Sequence, residues 1–170
     1  MIIDLITLKN SPFHFSFSIS PEEIELDSDE AKLKNAVSIE GDLTKRIVQT
    51  DVEGEINADV EIECTRCLQA ADANLKIPFS VSYIEPENYT EEKESELGAS
   101  DLQISVFGGE KIDVNELVRE QILLNLPGQI FCQEDCKGLC RKCGANRNLI
   151  DCNCEENEVD PRWSALKDFR

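Results

Sequence analysis

The cysteines of this chain constrain its fold more than any other feature, because they are closely spaced in two regions. Cys64 and Cys67 form a C-x-x-C pair, and six further cysteines lie within residues 132–154. These six are Cys132, Cys136, Cys140, Cys143, Cys152 and Cys154. A C-x-x-C turn can place two thiolates on one metal ion, as in zinc knuckles. The spacing therefore predicts a fold in which metal ions join distant segments.

A disulfide framework is the main alternative use of eight cysteines. The first ten residues lack a basic region, and Asp4 and Lys9 interrupt their apolar run. No stretch approaches the roughly 18 apolar residues of a membrane span. We therefore expect a cytoplasmic protein without membrane contact, where clustered cysteines bind metal more often than they form disulfides. A disulfide framework stays possible at this point.

The most economical interpretation is two structural zinc sites with four cysteine ligands each. Site one is Cys64, Cys67, Cys132 and Cys136; site two is Cys140, Cys143, Cys152 and Cys154. The grouping is open in two respects, since Cys136 could join site two and a single one of Cys152 and Cys154 could ligate.

Two other uses of the thiols remain. An iron–sulfur cluster also takes four thiolates, although neither common ferredoxin spacing is present. A thioredoxin-like or redox-sensing role for Cys64 and Cys67 is less favoured, because that motif precedes a helix and here lies between two predicted strands.

Alternating polarity predicts a mainly β, α+β protein. Between residues 52 and 64 every even position is apolar or small and almost every odd position is acidic, which is typical of a strand with one buried face. Other predicted strands are residues 13–19, 36–43, 45–50, 72–84 and 102–107. A helix is predicted over 113–127, with Asp113 as N-cap and Pro127 as its end. We expect an antiparallel sheet or barrel-like body with one packed helix.

The predicted division of the chain is a β-rich body, residues 1–130, followed by a zinc-binding segment, residues 131–170. Residues 85–101 are strongly acidic and predict a solvated linker inside the body. A short terminal helix is expected from Asp160, with Pro161 at its first position.

The net charge of −18 excludes non-specific binding of nucleic acid by the whole surface. Residues 136–150 nevertheless contain no acid and four basic residues, Lys137, Arg141, Lys142 and Arg147. Arg66 lies inside the first cysteine pair. These groups either offset the charge of the thiolates or contact phosphate.

No active site is recognisable in the sequence. His14 is the only histidine, and its place in a predicted strand indicates packing rather than catalysis. We therefore expect neither enzymatic activity nor a small-molecule substrate.

Several segments together resemble a known family. They are "IECTRCL" (62–68), "IDVNELVREQILLNLP" (112–127), "CQEDCKGLCRKCGANRN" (132–148), "CNC" (152–154) and "DPRWSALK" (160–167). The chain is similar over most of residues 52–170 to the YceD family, large ribosomal RNA subunit accumulation proteins of bacteria and plastids. The resemblance implies a non-enzymatic role in accumulation of 23S ribosomal RNA and biogenesis of the large subunit. Some members lack the second cysteine set, which agrees with two separate sites, and Arg147 departs from the family pattern.

The resulting hypothesis has two surfaces. Arg66, Lys137, Arg141 and Lys142 contact ribosomal RNA or a pre-50S particle. The acidic strand face, Glu53, Glu55, Asp59, Glu61 and Glu63, faces a basic ribosomal protein or stays solvated. The rival hypothesis is an acidic chaperone that shields a basic ribosomal protein and does not touch RNA.

Overall fold

The computed structural model describes residues 1–8, 11–26, 31–88, 104–154 and 162. Within them the chain is mainly β with one α-helix, as the sequence predicted. Short 3₁₀ turns cover Pro21–Glu23 and Pro86–Asn88. The elements are β1 Ile2–Asp4, β2 Phe13–Ile19, β3 Ala31–Leu33, β4 Val37–Lys45, β5 Gln49–Glu63, β6 Ala70–Ile84, β7 Ile104–Val106, β8 Lys111–Asp113 and α1 Val114–Leu124.

A long hairpin of β5 and β6 is the axis of the fold. The two strands pair along their whole length, from Gln49 opposite Ile84 to Glu63 opposite Ala70. The even positions of β5 other than half-buried Gly54 are buried, with Ile56 and Val60 wholly inside, while the odd positions beyond Val52 are half-buried or exposed. At roughly 3.3 Å per residue the hairpin is about 50 Å long. Its tip therefore carries the first cysteine pair far from the opposite end of the sheet.

The described strands form an open sheet, which corrects the barrel-like alternative. Its order is β2-β4-β5-β6-β7, with β3 pairing on β5 beyond the end of β4, and a separate two-stranded sheet joins β1 to β8. The β6–β7 pair is parallel, so the sheet is also not purely antiparallel. The open edges at β2 and β7 arise because these strands do not pair with each other.

Gly41 and Gly54 face each other across β4 and β5. Strand pairing continues without interruption through Gly54 and Asn57. A Cβ atom on Gly54 would collide with the Glu40 carbonyl oxygen and lie 2.8 Å from the Gly41 Cα. Glycine is therefore needed here for the close approach of two backbones.

Helix α1 covers the inner face of the sheet. The Asp113 carboxylate accepts from the backbone N–H groups of Asn115 and Glu116, which confirms the predicted N-cap. The helix buries Val114, Leu117, Val118 and Ile122 in the same core as the inner strand residues. It ends at Leu124 rather than at Pro127, and both the backbone N–H and the side-chain amide of Asn125 donate to the Gln121 carbonyl.

Two further expectations differ from the structure or lie outside it. Residues 46–48 form the turn between β4 and β5, so 45–50 is not a separate strand. Most of the predicted acidic linker, 89–101, and nearly all of the predicted terminal helix lie outside the described residues. The division into a body and a C-terminal segment stays a prediction.

Candidate metal centres and the basic cleft between them

The tip of the β5–β6 hairpin presents the first cysteine pair. The Cys64 N–H donates to the Gln69 carbonyl at 2.8 Å, and the Leu68 N–H donates back to the Cys64 carbonyl at 2.9 Å. Leu68 has a φ of 59°, so a non-glycine residue adopts the left-handed conformation to close this turn. The Thr65 N–H donates to the Ile130 carbonyl at 2.9 Å. The tip is therefore tied to the segment that follows α1.

That contact brings four thiols together in what we call tetrad one. Cys64, Cys67 and Cys136 are buried and Cys132 is half-buried. Their Sγ atoms all lie within 4.8 Å of one another. The Cys64–Cys136 separation is 3.8 Å and the Cys67–Cys132 separation is 3.5 Å. Residues 65 apart or more in sequence thus meet at one point.

The remaining four thiols form tetrad two, Cys140, Cys143, Cys152 and Cys154. Their Sγ atoms also lie within 4.8 Å of one another, and Cys143 is exposed. The turn after Cys140 closes through the Gly144 N–H, which donates to the Cys140 carbonyl at 2.9 Å, with Gly144 at a φ of 71°. The two groups are those proposed from the sequence, with Cys136 in the first and both Cys152 and Cys154 in the second.

The spacing of the sulfurs fits a single metal ion in each tetrad. Four thiolates at about 2.3 Å from a tetrahedral zinc have sulfur–sulfur separations of about 3.8 Å. A disulfide needs about 2.05 Å, and all eight cysteines are free thiols in the structure. A four-iron cluster would hold each thiolate on a different iron and spread the sulfurs further apart. Each tetrad could therefore hold one metal ion, whose identity the geometry leaves open among thiophilic metals.

The thiols of tetrad one have strongly divergent pKa values. Burial raises the pKa of Cys64, but backbone N–H donors, led by that of Arg66, have the larger combined effect and lower the pKa to about 6. The hydrogen bond with Cys67, together with burial, raises the pKa of Cys132 to about 12. The first thiolate to form thus opposes ionisation of its neighbour.

Tetrad two repeats this pattern. Backbone N–H donors, led by that of Cys143, lower the pKa of Cys140 to about 6. The hydrogen bond with Cys143 raises the pKa of Cys154 to about 12. A bound divalent cation would remove the mutual repulsion and allow all four thiols to ionise.

A basic cleft of about 830 Å³ lies between the tetrads. It is bordered by Thr65 and Arg66 of the hairpin tip and by Cys140 and Cys154 of tetrad two. Among the residues that the structure describes, none that lines the cleft is acidic. Its basic residues are Arg66, Lys137, Arg141, Lys142 and Arg147.

The four residues of the RNA-contact hypothesis, Arg66, Lys137, Arg141 and Lys142, all line this cleft. Arg66 also makes contacts within the protein. Its Nη1 donates to the Cys136 carbonyl at 3.0 Å, and its guanidinium lies 4.1 Å from the centre of the Phe131 ring. Arg66 therefore braces the backbone beside tetrad one; this contact is to a carbonyl, whereas the structural interpretation of the basic residues expected them to offset thiolate charge. Lys137, Arg141 and Lys142 have exposed side chains.

Arg147 also lines the cleft, although the RNA-contact hypothesis drawn from the sequence did not include it. Its N–H donates to the Gly138 carbonyl at 2.9 Å, next to the bridge that joins Leu139 and Asn146. This backbone pairing folds residues 145–147 back onto the knuckle. Linear spacing from Cys143 contains no signal for that fold-back, so the sequence could not place Arg147 in the cleft.

The predicted acidic face lies on the outer surface of the sheet. Glu53 and Glu63 are exposed, whereas Glu55, Asp59 and Glu61 are half-buried. Asp59 accepts from the side-chain amides of Asn35 at 3.0 Å and Asn74 at 2.7 Å. These two hydrogen bonds, that from Asn35 first, lower the pKa of Asp59.

Acids also face acids across the strands, Glu40 opposite Glu55 and Asp42 opposite Glu53. His14 lies on the same surface, exposed rather than packed as expected, with its Nδ1 3.2 Å from Asp42 Oδ1. It is exposed because its strand position points away from the core, where neighbouring Phe15 is buried. In the part of the chain that the structure describes, no helix is both long and apolar enough to cross a membrane.

Comparison with known proteins gives a consistent result. A family model described as "Large ribosomal RNA subunit accumulation protein YceD" matches residues 52–170. The uncharacterized protein YlbN of Bacillus subtilis is 27% identical over 98% of this chain and 92% of its own length. The "Large ribosomal RNA subunit accumulation protein YCED homolog 1, chloroplastic" of Zea mays is 25% identical over 79% of this chain, which spans about half, 54%, of that relative. The protein of the same name from Arabidopsis thaliana is 24% identical over 79% of this chain and 48% of its own length. No solved structure matches the chain.

Proposed function

The chain belongs to the YceD family, and from that premise we propose that it is a non-enzymatic factor in accumulation of 23S ribosomal RNA and biogenesis of the large ribosomal subunit. Its two tetrads hold zinc, and its basic cleft contacts ribosomal RNA in a pre-50S particle. The family description and the names of the plant relatives support the ribosomal role. The observation that carries the RNA contact is the basic cleft between the two tetrads.

The charge distribution supports a local contact rather than a general one. The chain carries a net charge of −18, so most of its surface repels phosphate. The described lining of the cleft contains five basic side chains and no acid. RNA can therefore approach at this place while the rest of the body limits the docking pose and favours release.

Zinc has a supporting role in this proposal. The cleft walls are short loops that lack an apolar core of their own, apart from half-buried Leu139 beside tetrad one. Two ions with four thiolates each would fix these loops and so fix the spacing of the cations. The metal would then act structurally, without taking part in a reaction.

A salt titration tests the RNA contact. The test variant combines Lys137→Gln, Arg141→Gln and Lys142→Gln, and leaves Arg66 in place because it braces tetrad one. Binding to a 23S ribosomal RNA transcript should weaken, and the slope of log affinity against log salt should become shallower by about 2, since each single-strand phosphate contact contributes roughly 0.7.

The matched control removes three cations from elsewhere. Lys32→Gln, Lys76→Gln and Lys111→Gln change the net charge equally at exposed positions of the strands. The control should keep the wild-type salt slope. Equal weakening in both triple variants, or no weakening in the cleft variant, would refute a localised contact.

The acidic outer face favours a second candidate, a chaperone of a basic ribosomal protein. Facing acids such as Glu40 and Glu55 concentrate negative charge at a cost in stability. Neutralising Glu53, Glu55 and Glu61 to glutamine discriminates the two. If those changes abolish pre-ribosome association and the cleft changes do not, the chaperone hypothesis replaces RNA binding.

A further inference from the structure

The two tetrads are joined by one side chain, that of Asn148. It belongs to the loop between Cys143 and Cys152, both members of tetrad two. Its Nδ2 nevertheless donates to the Cys136 Sγ of tetrad one at 3.3 Å. Its Oδ1 accepts from the Lys137 N–H at 2.8 Å, immediately after that cysteine. A residue carried by the second group of thiols thus contacts a thiol of the first.

Asn148 is held in this position by the fold of its own loop. Its N–H donates to Asn146 Oδ1 at 2.9 Å. The same turn is fixed to the knuckle by the Cys140 N–H, which donates to the Ala145 carbonyl at 2.8 Å. The next residues, Leu149 and Ile150, are 71% and 61% exposed. Since the loop buries little apolar surface, closure of the thiolates of tetrad two around an ion is what would hold Asn148 in place.

An N–H donor to a ligating thiolate shares the charge that the metal must otherwise balance. Partners of this kind typically change metal affinity by roughly 10- to 100-fold. In tetrad one the Asn148 amide has this role toward Cys136, since its Nδ2 donates to that Sγ at 3.3 Å.

We propose that Asn148 couples the two centres, so that a metal ion in tetrad two slows the loss of metal from tetrad one. Asn148 acts as a positioning residue for Cys136 and does not itself bind metal. The coupling rests on the part of the proposed function that places metal in the tetrads, and it does not depend on the RNA contact.

The test uses an isosteric change that separates the two hydrogen bonds of Asn148. Asn148→Asp keeps the oxygen that accepts from the Lys137 N–H but replaces the amide donor by a carboxylate oxygen facing sulfur. The matched control is Asn146→Asp, which adds the same charge in the same loop and keeps the oxygen that accepts from the Asn148 N–H.

The full-length protein is loaded with ¹¹³Cd, so that NMR gives one signal per tetrad, and the rate of cadmium release to a chelator is followed at each signal. Asn148→Asp should shift the tetrad-one signal and speed release from tetrad one by about tenfold or more. Asn146→Asp should leave the tetrad-one signal and the release rate from tetrad one near the wild-type values.

Emptying tetrad two tests the coupling itself. Cys143→Ser with Cys152→Ser should speed release from tetrad one by a similar factor, and adding Asn148→Asp should then have little further effect, because both changes break the same link. The proposal is overturned if Asn148→Asp releases cadmium from tetrad one at the wild-type rate. It is also overturned if the rate increases caused by Asn148→Asp and by the serine changes multiply in the combined variant. A chain that takes up cadmium at neither tetrad overturns it as well, and Asn148→Asp keeps all eight thiols if the serine variant fails to fold.

Discussion

Removal of metal should unfold the cysteine segment and leave the sheet intact. The large apolar side chains of residues 131–154 are poorly buried, since Phe131, Leu149 and Ile150 are exposed and Leu139 is half-buried. One partly buried leucine contributes on the order of 1–2 kcal/mol. A structural zinc contributes an apparent binding free energy of about 10–16 kcal/mol. The metal therefore outweighs apolar burial in this segment by several-fold.

The sheet body has an independent core. Its innermost side chains are at least 99% buried, among them Ile39, Ile56, Val60, Val118 and Ile122. They belong to one hydrophobic cluster, and the buried thiols of tetrad one belong to another. We therefore expect its stability, apart from that of the hairpin tip, to be independent of the tetrads. Chelation should thus affect two parts of one chain very differently.

Amide hydrogen exchange measures both parts in one experiment. In the metal-loaded protein the N–H groups of Leu139, Cys140 and Arg147 are hydrogen-bonded and should be protected. After chelation their protection should fall by several orders of magnitude, because every 1.4 kcal/mol of lost stability is about tenfold in the opening equilibrium. Amides of the β4–β5 ladder should keep their protection. Unchanged exchange over residues 132–154, with metal removal verified by elemental analysis, would refute the reasoning.

Three further predictions concern the body. Gly54→Ala should destabilise the protein by about 1–3 kcal/mol or more in denaturant unfolding, because its Cβ has no space, while Gly128→Ala, with nothing within 4 Å, serves as the control and should be near neutral. Equal midpoints would contradict the close approach of β4 and β5. Asp113→Ala should cost about 1 kcal/mol through loss of the N-cap, and an unchanged unfolding midpoint would argue against that role. Burial raises the pKa of Asp51, but hydrogen bonds, first that from Ser82, lower this pKa on balance. The contribution of Asp51 to folding stability should therefore be full above the unfolded pKa near 3.9 and be lost as pH falls through the lower folded pKa. An identical loss of stability at acid pH in Asp51→Asn would count against this.

The fold was predictable where a local pattern determines it. The alternation in residues 52–64 predicted the face of β5 that is buried, because a strand turns successive side chains to opposite sides. Asp113 was recognisable as an N-cap because its carboxylate satisfies N–H groups two and three residues away. The three-residue strands β1, β3 and β8 were not predicted, whereas β7, equally short, lies within the longer alternating run 102–107 that predicted a strand.

The candidate site was likewise predictable from the sequence only where a local pattern determines it. Cysteine spacing suggested the two tetrads because short turns determine which thiols can share an ion. The place of Arg147 and the reach of Asn148 depend on how one loop folds back on another, which linear spacing does not encode. The exposure of His14 likewise depends on which face of β2 meets the core, and its flanking phenylalanines were a usable signal.

The most direct test of the account is ultraviolet crosslinking in cells, with the attached peptide and RNA both identified. The account predicts crosslinks to 23S ribosomal RNA on peptides that contain residues 137–147, which carry four of the five basic residues of the cleft. Crosslinked RNA confined to other surfaces, or association with pre-50S particles through a ribosomal protein on the acidic face without RNA at the cleft, would contradict it.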